Sequence, residues 1–194
     1  MNEAQDETGP VPMHRGEDLR GLGREQLVRR FVEHWGMMAR SWGINPTMGE
    51  LFALLYISGT DWTADALREW LHVSRGNVSM NLRELMGWGV VHKSHRAGER
   101  REFYRAETEV WTLFRHIVSE RKRRELDPTL QLLSQAVTDL PADPSGEPLH
   151  DRIAVLLRFF QLIDGLVSRM LLLDSDDLDE LRQLLESLSS ISGD

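Results

Sequence analysis

The sequence predicts a mainly α-helical chain with one small β-hairpin. Three observations carry this. A capped, polar-faced helical segment covers residues 74–85, a basic hairpin follows it at 90–105, and most other stretches repeat their apolar residues at helical spacing. A helix, a tight turn, a second helix and a hairpin, in that order, make a winged helix-turn-helix.

Residues 1–22 carry 5 acidic and 2 basic side chains together with Pro10 and Pro12, and are expected to be a disordered tail. A long helix is expected over 24–42, and Pro46-Thr47 opens a second one through Leu55. Phe31, Trp35, Met38 and Trp42 form a stripe on the first helix that reads as core or dimer interface. The alternative is that Trp35 and Trp42 border a cavity and hold a small cationic effector by cation–π attraction. Thr63 then caps a helix over 64–71 whose inward positions are Leu67, Trp70 and Leu71, and His72-Val73 makes the turn. Two residues depart from the usual helix-turn-helix pattern. Arg68 stands where alanine often lets the helices approach, and His72 stands where a glycine would accept positive φ without cost.

The next helix is the informative one. Ser74 can accept a hydrogen bond from the backbone near Asn77, and Val78, Leu82, Leu85 and Met86 turn one face inward. The face left over offers Ser74, Arg75, Gly76, Asn77, Ser79, Met80 and Arg83. These are the hydrogen-bonding, small and methyl-contacting groups that read base edges and phosphates in a major groove, so they are the candidate DNA-binding residues. Gly87-Trp88-Gly89 stops the helix. Residues 90–95 read as a strand, 96–99 as a turn tipped by Gly98, and 100–105 as the returning strand. Lys93, Arg96, Arg100 and Arg101, with Arg105, make a basic wing placed to reach a minor groove or phosphates; a solvated charged hairpin is the plainer alternative.

Residues 74–85, with Trp88-Gly89 and Gly98-Glu99-Arg100-Arg101, resemble the GbsR-type branch of the MarR winged-helix transcriptional regulators. The resemblance runs from about residue 31 to residue 128. It implies a homodimeric, sequence-specific regulator of double-stranded DNA, usually a repressor and sometimes responsive to a small effector. Choline-type osmoprotectants are the best-known effectors of that branch. Past Pro128 the resemblance is weak, so the identity of any effector does not carry over.

Thr108 is expected to cap a helix from Glu109 to about Leu126, and Asp127-Pro128 to begin another as cap and first-turn proline, ending near Leu140. A linker comes next at 141–148, then helices over about 149–172 and 175–190. Ile153, Leu156, Leu157, Phe160, Ile163, Leu166, Val167 and Met170 give the first of these a broad apolar face; Leu178, Leu181, Leu185 and Leu188 give the second a seam. A helical hairpin with no core of its own is better covered by a second subunit than by its own chain. The expected division is therefore a tail over 1–22, a winged helix-turn-helix domain over 23–127 and a dimerisation region of helical arms over 128–194.

Charge has the same division. The net charge of −8 is matched by residues 139–194, with 12 acidic and 4 basic side chains, whereas residues 68–105 hold 8 basic against 4 acidic. At 194 residues and 41% hydrophobic, the chain suits one domain with appendages. No run of about 18 apolar residues occurs, and the N-terminus lacks a signal-peptide pattern. A cytoplasmic protein without a membrane partner is expected. The absence of cysteine excludes disulfides, thiolate metal sites and thiol-based oxidant sensing.

Other candidate sites fail on spacing. Gly21-Leu22-Gly23 lacks a third glycine and a preceding strand. His92 and His95 fall on opposite faces of a strand. Asp174, Asp176 and Asp177 suit a helix N-terminus better than a calcium loop, since Leu178 and Asp179 occupy a ligand position and the required glycine. The run Arg121 to Arg124 reads as a solvated helix surface. No metal site, cofactor or catalytic constellation is expected. The competing function is an adaptor that uses a winged helix to bind a partner protein.

Overall fold

A computed structural model describes residues 23–140, 148–174, 176 and 177. Its elements run α1 (Arg24–Ser41), α2 (Pro46–Ser58), β1 (Trp62–Thr63), α3 (Ala64–Leu71), α4 (Arg75–Gly87), β2 (Val91–His95), β3 (Glu102–Ala106), α5 (Val110–Arg121), a π-helical turn (Lys122–Leu126), α6 (Asp127–Asp139) and α7 (Leu149–Leu172). The three strands are antiparallel in the order β1-β3-β2.

The core is built around α2. Met48, Leu51, Phe52, Ala53, Leu54 and Leu55 are all buried, so this helix is enclosed on several sides rather than on one stripe. Asn45 caps it, its Oδ1 accepting from the Thr47 amide at 3.0 Å, with Pro46 at the first helical position. α1 crosses at backbone range. A Cβ at Gly49 would stand 2.6 Å from that of Ala39 and 2.9 Å from the Trp35 carbonyl oxygen, and one at Gly36 would stand 2.7 Å from Glu50 Cγ. α4 closes the core with Val78, Leu82 and Leu85, and the sheet adds Val91, Tyr104 and Ala106.

The helix-turn-helix caps form as expected. Thr63 Oγ1 accepts from the Ala66 amide and Ser74 Oγ from the Asn77 amide, each at 3.2 Å. His72 takes φ 55°, the left-handed value the turn demands. β1 was not expected. It is two residues long and exists because Trp62 and Thr63 pair with Tyr104 and Phe103 of the returning wing strand.

Two expectations at the helix starts are corrected. Glu109, not Thr108, caps α5, since its carboxylate oxygens take the Trp111 and Thr112 amides at 2.8 and 2.5 Å. The Thr108 amide is already bonded to Glu107 Oε1. α6 does start at Asp127 with Pro128 in its first turn, but Asp127 is not its cap and no break separates it from the π turn before it. Leu126 and Asp127 keep right-handed helical angles, and the Asp127 amide reaches the Lys122 carbonyl five residues back. One extra residue in the turn widens the helix enough to pass the proline ring, which would crowd the carbonyl four residues before it.

α7 folds back on α6 and on α5, in whose first turn Trp111 Nε1 donates to the Leu173 carbonyl at 2.8 Å. It has no buried residue. Ile153, Leu157, Phe160, Ile163, Val167 and Met170 are half-covered, whereas Leu156 and Leu166 stay exposed beside Val155, Phe159 and Leu162, three apolar residues that the periodic reading omitted. The helix is therefore apolar on more than one side. Asp174 accepts from the Asp176 and Asp177 amides at 3.0 and 2.9 Å, as acids do at a helix start. The 1–22 tail, nearly all of the 141–148 linker and the leucine seam from Leu178 to Leu188 lie outside the described residues. No helix among the described residues is long and apolar enough to cross a membrane.

Candidate nucleic-acid interface

α4 is held from behind by a buried polar chain. Asn81 is fully buried, and its Nδ2 donates to Asn77 Oδ1 at 2.6 Å and to the Asn77 carbonyl at 2.9 Å. Asn77 Nδ2 in turn donates to Thr47 Oγ1 on α2 at 3.3 Å. Asn77 is thus half-buried and engaged within the chain, unlike its neighbours. Ser74, Arg75, Gly76, Ser79, Met80 and Arg83 are exposed. Arg83 Nε donates to the Ser79 carbonyl one turn back at 3.2 Å, which lays its side chain along the helix with its outer nitrogens outward.

The wing divides into tied and untied cations. Lys93 Nζ lies 2.5 Å from Glu102 Oε1 across the strand pair, and that contact, with a second bond from the Tyr104 hydroxyl at 3.0 Å, holds the Glu102 carboxyl below its ordinary range. Burial first, and the Glu102 carboxylate second, push the Tyr104 phenol up to about 12. Arg96 and Arg105 both reach Asp61, at 3.2 and 2.9 Å, and the Arg96 guanidinium lies 4.3 Å from the Phe103 ring centre. Asp61 precedes β1, so these pairs fasten the wing to the turn before α3. Arg100 and Arg101, at the hairpin tip, are exposed and in no ion pair among the described residues.

The structure therefore brings Arg75, Ser79, Arg83, Arg100 and Arg101 to solvent as available groups, and commits Asn77, Lys93 and Arg96 to partners inside the chain. Asp61, Thr47 and Asn81 were not singled out in the sequence. Asp61 and Thr47 have partners 30 to 44 residues away, which no local spacing announces, whereas Asn81 bonds Asn77 one turn back on the same helix. Trp35 and Trp42 do not border one cavity. Trp35 stacks on Phe31 at 4.9 Å beside the core, whereas Trp42 lines a cavity of about 220 Å³ with Trp88, Glu84, Glu120 and Arg124, the Arg121 guanidinium lying 5.5 Å from its ring centre. A second, open groove of about 1520 Å³ runs along α1 past Leu27, Phe31, Ile57 and Trp62.

No family model matches the chain. Over 112 residues it is 26% identical to the HTH-type transcriptional repressor GbsR of Bacillus subtilis (strain 168), a match covering 58% of this chain and 62% of that protein. The matched region is thus less than two thirds of the relative's length. A solved transcriptional regulator superposes with a TM-score of 0.58 at 21% identity, over 74% of this chain and 95% of that one. The regulator Tm0710 of Thermotoga maritima superposes more loosely, at a TM-score of 0.35 and 16% identity over 75% of this chain and 94% of its own. The chain is thus similar over part of its length to the repressor GbsR, and it shares its fold with a solved transcriptional regulator.

Proposed function

We propose that the protein is a sequence-specific, DNA-binding transcriptional regulator that acts as a homodimeric repressor. The observation that carries this is the exposed face of α4, where Arg75, Ser79 and Arg83 stand clear of the core beside the untied wing arginines Arg100 and Arg101. An adaptor for a partner protein has no need of that arrangement. Base-edge reading falls to α4, with Arg75 the leading bidentate donor, and phosphate contact to the hairpin tip. Ser74, Gly76 and Met80 complete the groove-facing set. Asn77, Lys93 and Arg96 support it from within.

The dimer reading rests on α7. Val155, Leu156, Phe159, Leu162 and Leu166 are each close to half-exposed or more, an apolar strip that a second subunit would cover together with the α1 groove. A small effector is the regulatory input on this reading, and the cavity at Trp42 is its candidate seat.

Two-fold protein symmetry imposes two-fold symmetry on the DNA. Selection from random duplexes should yield a pseudo-palindrome with half-site centres about 34 Å apart, one helical turn. Recovery of asymmetric sites only, or no enrichment of any duplex, would remove the regulator reading and favour the adaptor.

A further inference from the structure

The run Arg121 to Arg124 is the basic feature that this reading leaves unused, because all four cations are engaged inside the chain. Arg121 donates to the Trp42 carbonyl and to Glu125, at 2.8 and 2.9 Å. Lys122 Nζ meets Asp127 and, at 2.8 Å, Asp164 of α7. Arg123 and Arg124 both donate to the nearly buried carboxylate of Glu120. Arg124 also sends Nη1 to Glu84 Oε1 on α4 at 2.9 Å, with its guanidinium 5.4 Å from the Trp88 ring centre.

The π turn makes this junction possible. Its extra residue rotates the downstream helix by about 100° around the axis relative to an uninterrupted one. Lys122 and Asp127, five residues apart, face each other only in that geometry. α4 packs on α2, α3 and β2, and of the described ion pairs Arg124 with Glu84 is the one that joins it to the α5–α7 arm.

We propose that Arg124, seated by the π turn, is a positioning residue that fixes the angle between the recognition helix and the C-terminal arm, and so sets the half-site spacing the protein accepts. This rests on the regulator reading above. In a two-fold dimer any angular change at the joint occurs in both subunits, so it appears twice in the separation of the recognition helices. One added base pair moves a half-site by about 3.4 Å and turns it by about 34°. A loose joint accommodates that change, and a fixed one does not.

The test uses the full chain and the palindromic duplex it selects, with the spacer between half-sites shortened or lengthened by one and two base pairs and affinity read by fluorescence anisotropy. The wild-type chain should lose about a hundredfold when the spacer changes by two, since only one half-site can then be engaged. Arg124→Leu and Glu84→Ala should each reduce that penalty to roughly tenfold or less, and the double variant should do no more than Arg124→Leu, because each breaks the bond between Arg124 and Glu84. Affinity for a duplex with a single half-site should stay within about twofold, since neither side chain meets DNA. Should Arg124→Leu not fold, Glu84→Ala carries the test, since it breaks the same pair and leaves the Arg124–Glu120 bond in place. An unchanged spacing penalty overturns the proposal; so does a parallel loss of single-half-site affinity, which would make Arg124 a phosphate contact. A wild-type chain that selects no duplex removes the regulator reading and this proposal with it, whereas a wild-type spacing preference that both variants retain removes this proposal alone.

Discussion

Arg75 and Arg100 are both exposed arginines, yet their positions assign them different work. Arg75 sits in the first turn of α4, where a guanidinium can reach two acceptors of one guanine; Arg100 and Arg101 sit at a hairpin tip, where phosphate is in reach. Arg75→Ala should cost about 1–3 kcal/mol on the best site and relax preference at one base pair. Arg100→Ala or Arg101→Ala should weaken every sequence nearly alike and lower the salt slope by about one. Affinity against salt on a selected and a scrambled duplex separates them; wing variants that alter base preference would reverse the roles. Asn77→Ala belongs to neither class. It strips the buried Asn81 amide of an acceptor, so its effect should appear in denaturation, at about 1–3 kcal/mol. Glu120 makes a pH-dependent contribution. Its bonds from Arg123 and then Arg124 hold its carboxyl below the ordinary 4.5, so the folded state is favoured above that value and the gain is lost as pH falls through the depressed one. Glu120→Gln should flatten the acid limb of stability against pH in urea titrations. A limb as steep as wild type would show that other carboxylates carry it.

At the scale of elements, the α3–α4 turn tests how much backbone strain the motif tolerates. His72 holds φ 55°, so His72→Val should destabilise by about 1–2 kcal/mol, whereas His72→Gly should change stability little, its relief of strain being offset by chain entropy. Urea midpoints at constant slope decide it, and equal effects of the two would mean the turn has shifted. This turn was legible in the sequence because everything that makes it is local: Thr63 and Ser74 bond within their own first turns, and the inward residues recur one helical period apart. The same locality explains why the wing was readable. β1 was not, since two residues become a strand only by meeting a partner some 40 positions on. Nor was the π turn. An Asp-Pro pair reads as a fresh helix start, and nothing in its spacing shows that the preceding helix runs into it through a π turn. Asn77 looked outward by periodicity and by chemistry, and the unseen fact was that Thr47 lies behind it.

At the scale of the whole molecule, the buried residues among those described are concentrated between Val32 and Ala106, with Glu120 the one buried residue of α5 and none on α6 or α7. On the proposed dimer, truncation after Leu140 should leave a monomer or an aggregate in light scattering and weaken DNA binding by about 10²–10⁴. A clean dimer of the truncated chain would place the interface elsewhere. The same uneven burial has a signature in time. Backbone amides of Met48 to Leu55 are closed off by their own chain and should exchange with deuterated water only through global opening, at a rate indifferent to protein concentration. Those around Phe159 and Leu162 have no such shelter among the described residues, so on the proposed dimer what slows them comes from the second subunit. Dilution alone should speed their exchange while leaving α2 untouched, which makes α7 a clock that reads how long two copies stay together.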